Sequence, residues 1–350
     1  MPRIIAASHA FPPHAVSQHA VKETVRRVFT DTVDDLGRLL SVFDNSRIET
    51  RQFMMPLEWY QEPRSQFERT CVYQQQGLAL AEEAARACLA KAGCRPDQVD
   101  QVIFVSSTGH ATPTLDAHLI NRLGMNPGTS RIPIWGLGCA AGAVGLSRAH
   151  DHCLAYPGHR VLLVALECCS LTFMAGDVTK KNLIATSLFA DGAAAALIGG
   201  DRSGGDGPAI VATCSHLFPD SYRVMGWDFQ DEGMQLVLSP KLPLIVRQNL
   251  PALVDEFLAK HTVARYDLVH FITHPGGARV VDAYRESLQL SAEDLCQTED
   301  VLRRHGNISS VSVLVVLEQW LAAGGMATAG YGLLSAFGPG FSAELLLLEV

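Results

Sequence analysis

The sequence contains no apolar run of the roughly 18 residues that a membrane-spanning helix requires, so no span is expected. It has no excess of positive charge. Lysine and arginine number 28 against 36 aspartates and glutamates, a formal net charge of −8. A general nucleic-acid binder carries a basic patch, so that class is set aside. The opening residues, MPRIIAASHAFPPHAV, read as a strand and lack the apolar core of a signal peptide, which implies a cytoplasmic protein. The nine cysteines include no C-x-x-C pair, and their number is odd. Such a set builds neither a disulfide framework nor a cysteine zinc site, and no metal is expected.

What is present is apolar bulk. Hydrophobic residues make up 48% of 350, enough for one large α/β unit or two ordinary domains. Helical spacing runs over Val21 to Leu40, Gln74 to Ala92, Ala140 to Tyr156 and Leu244 to Lys260, with Pro251 expected to kink or break the last. VDQVIFVS (Val99–Ser106), RVLLVAL (Arg160–Leu166) and Ala193–Ile198 read as buried strands. The alternation implies a mainly parallel sheet covered on both faces.

The second half repeats the first. YDLVHFIT, from Tyr266, echoes VDQVIFVS. The helix beginning near Asn307, after Gly306, echoes the helix that follows Gly138 and Cys139. AFGPGFSAELLLLEV, from Ala336, echoes FADGAAAALIGG, from Phe189. Three matched elements in one order indicate a duplicated α/β unit. The join is expected near GGDRSGGDGP, Gly199–Pro208, dividing the chain into residues 1–205 and 206–350. The duplication gives Cys139 and Asn307 equivalent positions at the starts of paired helices. His274 ends a strand, and open α/β sheets form sites at the carboxyl ends of strands. The three are expected to converge at the seam.

Each of these residues also has an ordinary reading. Cys139 could be a small core residue in a tight turn, His274 a hydrogen-bonded strand end, and Asn307 an N-cap. Taken as a set, they suit two chemistries. In peptide hydrolysis, as in papain-type cysteine proteases, Asn orients His and His activates Cys. The local motif of those enzymes is absent here. In carbon–carbon bond formation, Cys139 takes an acyl group from a thioester. His274 and Asn307 then donate to the oxygen of an enolate formed by decarboxylation. A helix N-terminus and a nearby imidazole are expected to lower the Cys139 thiol pKa.

GCAAGA around Cys139, LFADGAAA around Phe189, THPGG at His274, GNISS at Asn307 and FGPGFSAE near the C-terminus resemble type III polyketide synthases. These are the chalcone-synthase-like members of the thiolase superfamily. The resemblance runs from about residue 100 to the end. It implies thiolase-like duplicated α/β units in a layered αβαβα architecture. It also implies a homodimer that uses an acyl-CoA starter and malonyl-CoA, with no further cofactor and no carrier protein. The roles it implies are Cys139 as nucleophile and His274 with Asn307 as the decarboxylation pair. Phe189 becomes a gatekeeper, and Thr108, Cys169, Thr172, Trp227, Leu236 and Ser309 become substrate contacts. Arg47 and Arg51, in NSRIETRQF, and Gly276 and Gly277 fall where CoA contacts are expected. Plant members usually place a Met that reaches across the dimer before the proline of one loop; here Thr112 precedes Pro113. The small residue Cys169 resembles bacterial members that make alkylpyrones or alkylresorcinols from long acyl starters. The function this implies is extension of a fatty acyl starter on Cys139, with release of a cyclic product such as an alkylpyrone. The alternatives are an alkylresorcinol product, or one condensation of the ketoacyl synthase III kind.

Overall fold

The computed structural model describes residues 1–29, 36–177, 179–231 and 233–350. In chain order the first half contains β1 (Arg3–Ala10), β2 (His14–Ser17), α1 (Gln18–Phe29), α2 (Leu36–Leu39), α3 (Ser41–Asp44), β3 (Thr50–Phe53), α4 (Gln66–Val72), α5 (Leu78–Lys91), β4 (Gln101–Val105), α6 (Leu115–Leu123), β5 (Ser130–Ile134), α7 (Ala141–Ala155), β6 (Arg160–Cys168), α8 (Lys180–Leu188) and β7 (Asp191–Gly199). The second half contains β8 (Ala209–Leu217), β9 (Met225–Gln230), β10 (Gly233–Leu238), α9 (Leu242–Ala259), β11 (Leu268–Thr273), α10 (Ala278–Leu288), α11 (Cys296–His305), α12 (Ser310–Ala322), β12 (Tyr331–Gly338) and β13 (Ser342–Glu349). The helical pattern over Val21–Leu40 resolves into α1 and α2; residues 30–35 lie outside the described residues. Pro251 does not interrupt α9, which is long enough to carry it.

The duplication is written in the sheet. Nine strands follow the order β11-β12-β13-β8-β1-β7-β6-β4-β5. Reading outward from the middle, β1-β7-β6-β4 and β8-β13-β12-β11 have the same directions: antiparallel, antiparallel, then parallel. In the sheet the two halves join where β1 runs beside β8, with Arg3 paired to Ala209. This corrects the expectation of a mainly parallel sheet. The segment between β6 and β7, which contains α8, returns the chain antiparallel, and buried apolar strands carry no sign of direction.

Burial on both faces explains the strand composition. In β7, Ala193, Ala195 and Leu197 pack with α5, whereas Ala194, Ala196 and Ile198 pack with α7 and α12. Alanine favours helices, but here burial on two faces overrides that preference. Helices α7 and α12 form the middle layer, with α5 and α6 outside one half-sheet and α9 and α10 outside the other. α12 is buried around its circumference over Ser310–Glu318, as an apolar central helix should be. Among the described residues no helix is long and apolar enough to cross a membrane.

Helices α7 and α12 approach closely because Gly142 lacks a side chain. A Cβ there would lie 2.2 Å from the Ser310 carbonyl oxygen. We predict that Gly142→Ala lowers stability by about 1–3 kcal/mol through overpacking. Thermal denaturation measures this, and an unchanged melting temperature would contradict the close crossing.

Candidate active site

The turn that carries Cys139 is built by close packing of two glycine-containing segments. Cys139 occupies a 3₁₀ turn, Gly138–Ala140, that runs into α7. Gly138 has φ +46°, and a Cβ there would lie 2.8 Å from Pro339 Cδ. On the facing segment, a Cβ at Gly338 would lie 2.4 Å from the Leu137 carbonyl oxygen. The FGPG segment therefore caps the turn, and the Gly138 N–H is fastened to Ser107 Oγ at 3.1 Å.

His274 follows β11. Its backbone N–H donates to the Ser335 carbonyl at 2.9 Å, and its own carbonyl accepts from the Gly276 N–H at 2.9 Å. Its ring is buried, and neither nitrogen has a partner. Asn307 lies three residues before α12, not at the helix start expected from sequence. It forms an isolated bridge with Phe189, because the Asn307 N–H donates to Leu188 O and the Ala190 N–H donates to Asn307 O, each at 2.9 Å. Its side chain is held at both ends. Nδ2 donates to Gly276 O at 3.2 Å, and Oδ1 accepts the Ser309 N–H at 2.8 Å. Ser309 takes φ +49°, rare for a residue with a Cβ, to turn that N–H back. Cys139 Sγ lies 3.9 Å from Asn307 Oδ1. One backbone strap, His274–Gly277, thus carries the histidine and anchors the asparagine beside the cysteine.

The electrostatics differ from the sequence expectation. Burial pushes the Cys139 thiol up to about 12, against the pull of Ser309 and Asn307. Burial alone pushes His274 down to about 3. A lone thiolate or a lone imidazolium is therefore disfavoured in this dry site. Burial therefore favours a neutral thiol beside a neutral imidazole.

Two buried acids carry no recognisable motif. Glu167, on β6, accepts from Ser107 N at 3.1 Å, Thr108 Oγ1 at 2.8 Å and Ser310 Oγ at 2.5 Å, and burial raises it to about 7. It ties the loop after β4 to the start of α12. Asp191, raised by burial to about 6, accepts from Met54 N at 2.6 Å and Ser170 N at 2.7 Å, and also from Ser170 Oγ. The available signal for both was an acid bordering apolar residues, in VALEC and in ADGAAAA.

A cleft beside Phe189 gathers several of the expected substrate contacts: Cys169, Thr172, Trp227 and Leu236. Trp227 and Leu236 are cross-strand partners in the β9–β10 hairpin, and the Trp227 ring is 6.2 Å from that of Phe189. The far wall is apolar and comes from α1, through Val21, Val25 and Val28. Thr108 and Thr172 share a smaller neighbouring pocket, where the Thr108 hydroxyl also accepts the Cys168 N–H. Gly276 and Gly277 lead into α10, with Gly277 at φ +139°. Thr112 and Pro113 are exposed in the loop after β4. Arg47 is exposed and pairs with Asp282 of α10 through two bonds of 2.8 and 2.9 Å. Arg51 requires a correction. It is fully buried and donates to backbone carbonyls, so it is not a surface cation for CoA phosphates. All nine cysteines are free. Among the described residues no three His, Cys, Asp or Glu side chains are grouped to hold a metal.

Known proteins match the chain over nearly its full length. Residues 2–202 match the family model for the N-terminal domain of chalcone and stilbene synthases, and residues 209–350 match that for the C-terminal domain. A putative chalcone synthase of Bacillus subtilis is 43% identical, over 99% of this chain and 98% of the relative. The 1,3,6,8-tetrahydroxynaphthalene synthase of Streptomyces peucetius is 37% identical, over 99% and 92%. The crystal structure of the Streptomyces coelicolor 1,3,6,8-tetrahydroxynaphthalene synthase, a bacterial type III polyketide synthase, superposes with a TM-score of 0.94 at 32% identity, covering 99% of both chains.

Proposed function

The chain belongs to the chalcone and stilbene synthase family, the type III polyketide synthases of the thiolase superfamily, and from that premise we propose which groups act and on what starter. Members condense acyl groups with malonyl-CoA, and their CoA thioesters are substrates, with no further cofactor. In this reading Cys139 attacks the thioester carbonyl of the starter. Its proton passes to His274 and from there to the departing CoA sulfur, so CoA leaves as the thiol, His274 is neutral again, and the acyl group stays on the Cys139 sulfur. Malonyl-CoA then enters. The neutral His274 imidazole, protonated on Nε2, and the second Asn307 N–H donate to its thioester oxygen. The bond to the carboxylate breaks, CO2 leaves, and the electron pair becomes the enolate. The enolate carbon attacks the acyl carbonyl on Cys139, the sulfur departs as thiolate and takes up a proton from solvent, and a β-ketoacyl-CoA forms. Reloading repeats the cycle before ring closure. Residues 1–205 supply the nucleophile and 206–350 the donor pair. The enzyme works as a homodimer, and Arg47, Gly276 and Gly277 meet CoA.

The starter is an aliphatic acyl-CoA, and the product a cyclised chain such as an alkylpyrone. One observation carries this choice: the cleft beside Phe189 continues onto the valines of α1, a surface suited to hydrocarbon. The free space is small as it stands, about 40 Å³, so a long chain must displace side chains of the β9–β10 hairpin. That hairpin lies outside the main sheet. The same tightness favours a second reading, a starter as short as malonyl.

Acyl-CoAs of graded length with labelled malonyl-CoA test the choice. Turnover should rise with chain length. Priming by malonyl-CoA alone, with no gain from fatty acyl-CoA, would sink the aliphatic reading. Val25→Phe should narrow the cleft and lower kcat/KM for long starters roughly tenfold or more relative to short ones. Equal loss at all lengths would remove the α1 wall from the acyl path.

A further inference from the structure

Arg51 is an uncommon residue to find wholly inside a protein. It lies on β3, fully buried, with its guanidinium carbon 5.1 Å from the Phe53 ring centroid. Burial lowers it to about 9, in spite of the Asp191 carboxylate nearby. Nη1 donates to Thr186 O at 2.6 Å and to Phe189 O at 2.7 Å. Nε and Nη2 have no partner. A buried cation with unmade hydrogen bonds is destabilising, so structural economy does not account for it.

Its position does account for it. Thr186 and Phe189 form the C-terminal end of α8, where carbonyls point outward and a cation is favoured. The stem of Arg51 lies against Gly306, where a Cβ would come within 2.8 Å of Arg51 Cδ. Gly306 has φ +68° and immediately precedes Asn307. Arg51 therefore bonds one partner of the bridge, Phe189, and packs against Gly306, the residue just before the other partner, Asn307. Asp191, two residues beyond Phe189, in turn holds the Met54 N–H just after β3.

We infer that Arg51 is a positioning residue for the condensation step: it clamps the bridge between Phe189 and Asn307 and so sets where the Asn307 amide points. This rests on the reading of Asn307 as a decarboxylation donor. The clamp bears on Phe189 and on Gly306 next to Asn307, whereas Cys139 is held by the separate turn between Ser107 and Pro339. Loosening the clamp should misplace the donor without disarming the thiol. Lysine can reach one carbonyl but cannot span two with a planar fork, so it should substitute only in part.

The test compares Arg51→Lys and Arg51→Met with wild type in two assays on the full chain. One is release of CO2 from malonyl-CoA. The other is the single-turnover rate of Cys139 acylation, read by intact mass. Decarboxylation should fall roughly 10- to 100-fold, the size of effect expected from displacing a catalytic group by about 1 Å. Acylation should change less than about threefold, and Lys should retain more activity than Met. Equal loss of both rates, unchanged decarboxylation, or loss of the fold in both variants would overturn the inference. Failure of the wild type itself to decarboxylate would instead overturn the reading of Asn307 on which it rests.

Discussion

Cys139→Ala should abolish capture of the acyl group and lower polyketide release by at least about a thousandfold, because removal of a covalent nucleophile leaves only binding and oxyanion contacts. The substitution is small and the site already contains alanines, so the fold should survive. What distinguishes Cys139 from the other buried thiols is not its acidity. Burial raises Cys88 and Cys153 to about 12 as well, and holds Cys168 and Cys169 well above the ordinary thiol value. Among these it alone sits at the start of a central helix with Asn307 and Ser309 facing its sulfur. The decisive measurement is intact mass after exposure to acyl-CoA. Wild type and Cys169→Ser should gain one acyl group, and Cys139→Ala none. An adduct that persists at wild-type level in Cys139→Ala would remove the nucleophile from the proposed mechanism. Slow decarboxylation of malonyl-CoA should survive in the same variant, since it depends on the opposite side of the site.

The parts of this site that could be read in the sequence were those whose glycines mark an enforced turn. Gly138, Gly276, Gly277 and Gly306 punctuate the positions of Cys139, His274 and Asn307, and each adopts a close approach or a positive φ in the fold, Gly276 excepted. Arg51 was expected to meet CoA because NSRIETRQF falls where the resemblance places basic CoA contacts. Yet the burial of TRQF alternates, placing Arg51 on the same buried face as Phe53, and that period-2 pattern was available. Asn307 was placed one turn late because GNISS reads as a helix cap. The chain instead spends Asn307 on a bridge to Phe189 and starts the helix at Ser310. Strand direction could not be read from sequence, since Ala193–Ile198 is apolar toward both layers. The thiol pKa was likewise out of reach: the helix start was visible in the sequence, but the depth of burial that outweighs it was not.

Asn307 provides the sharper test of the condensation chemistry, because its amide is used at both ends. In Asn307→Ala the proposed donor to the thioester oxygen is gone, and so is the acceptor for the Ser309 N–H. Malonyl-CoA decarboxylation should fall about 10²- to 10³-fold, the cost of removing one oxyanion donor. Asn307→Asp keeps the shape and the Ser309 contact but points a carboxylate oxygen at the Gly276 carbonyl, where Nδ2 now donates. Burial raises the pKa of such a carboxyl above its ordinary value, because the charged form loses its hydration. As pH falls through that raised value, the acid loses its charge and gains one O–H, which can serve the thioester oxygen or the Gly276 carbonyl but not both, so recovery is partial. The Asp variant should therefore recover activity toward acid pH, while the Ala variant should not. A pH profile of CO2 release separates the cases. If Asn307→Asp matched wild type above pH 7, a neutral donor at this position would not be required. If Asp and Ala stayed equally inactive as the pH fell, position 307 would contribute through the Phe189 bridge alone.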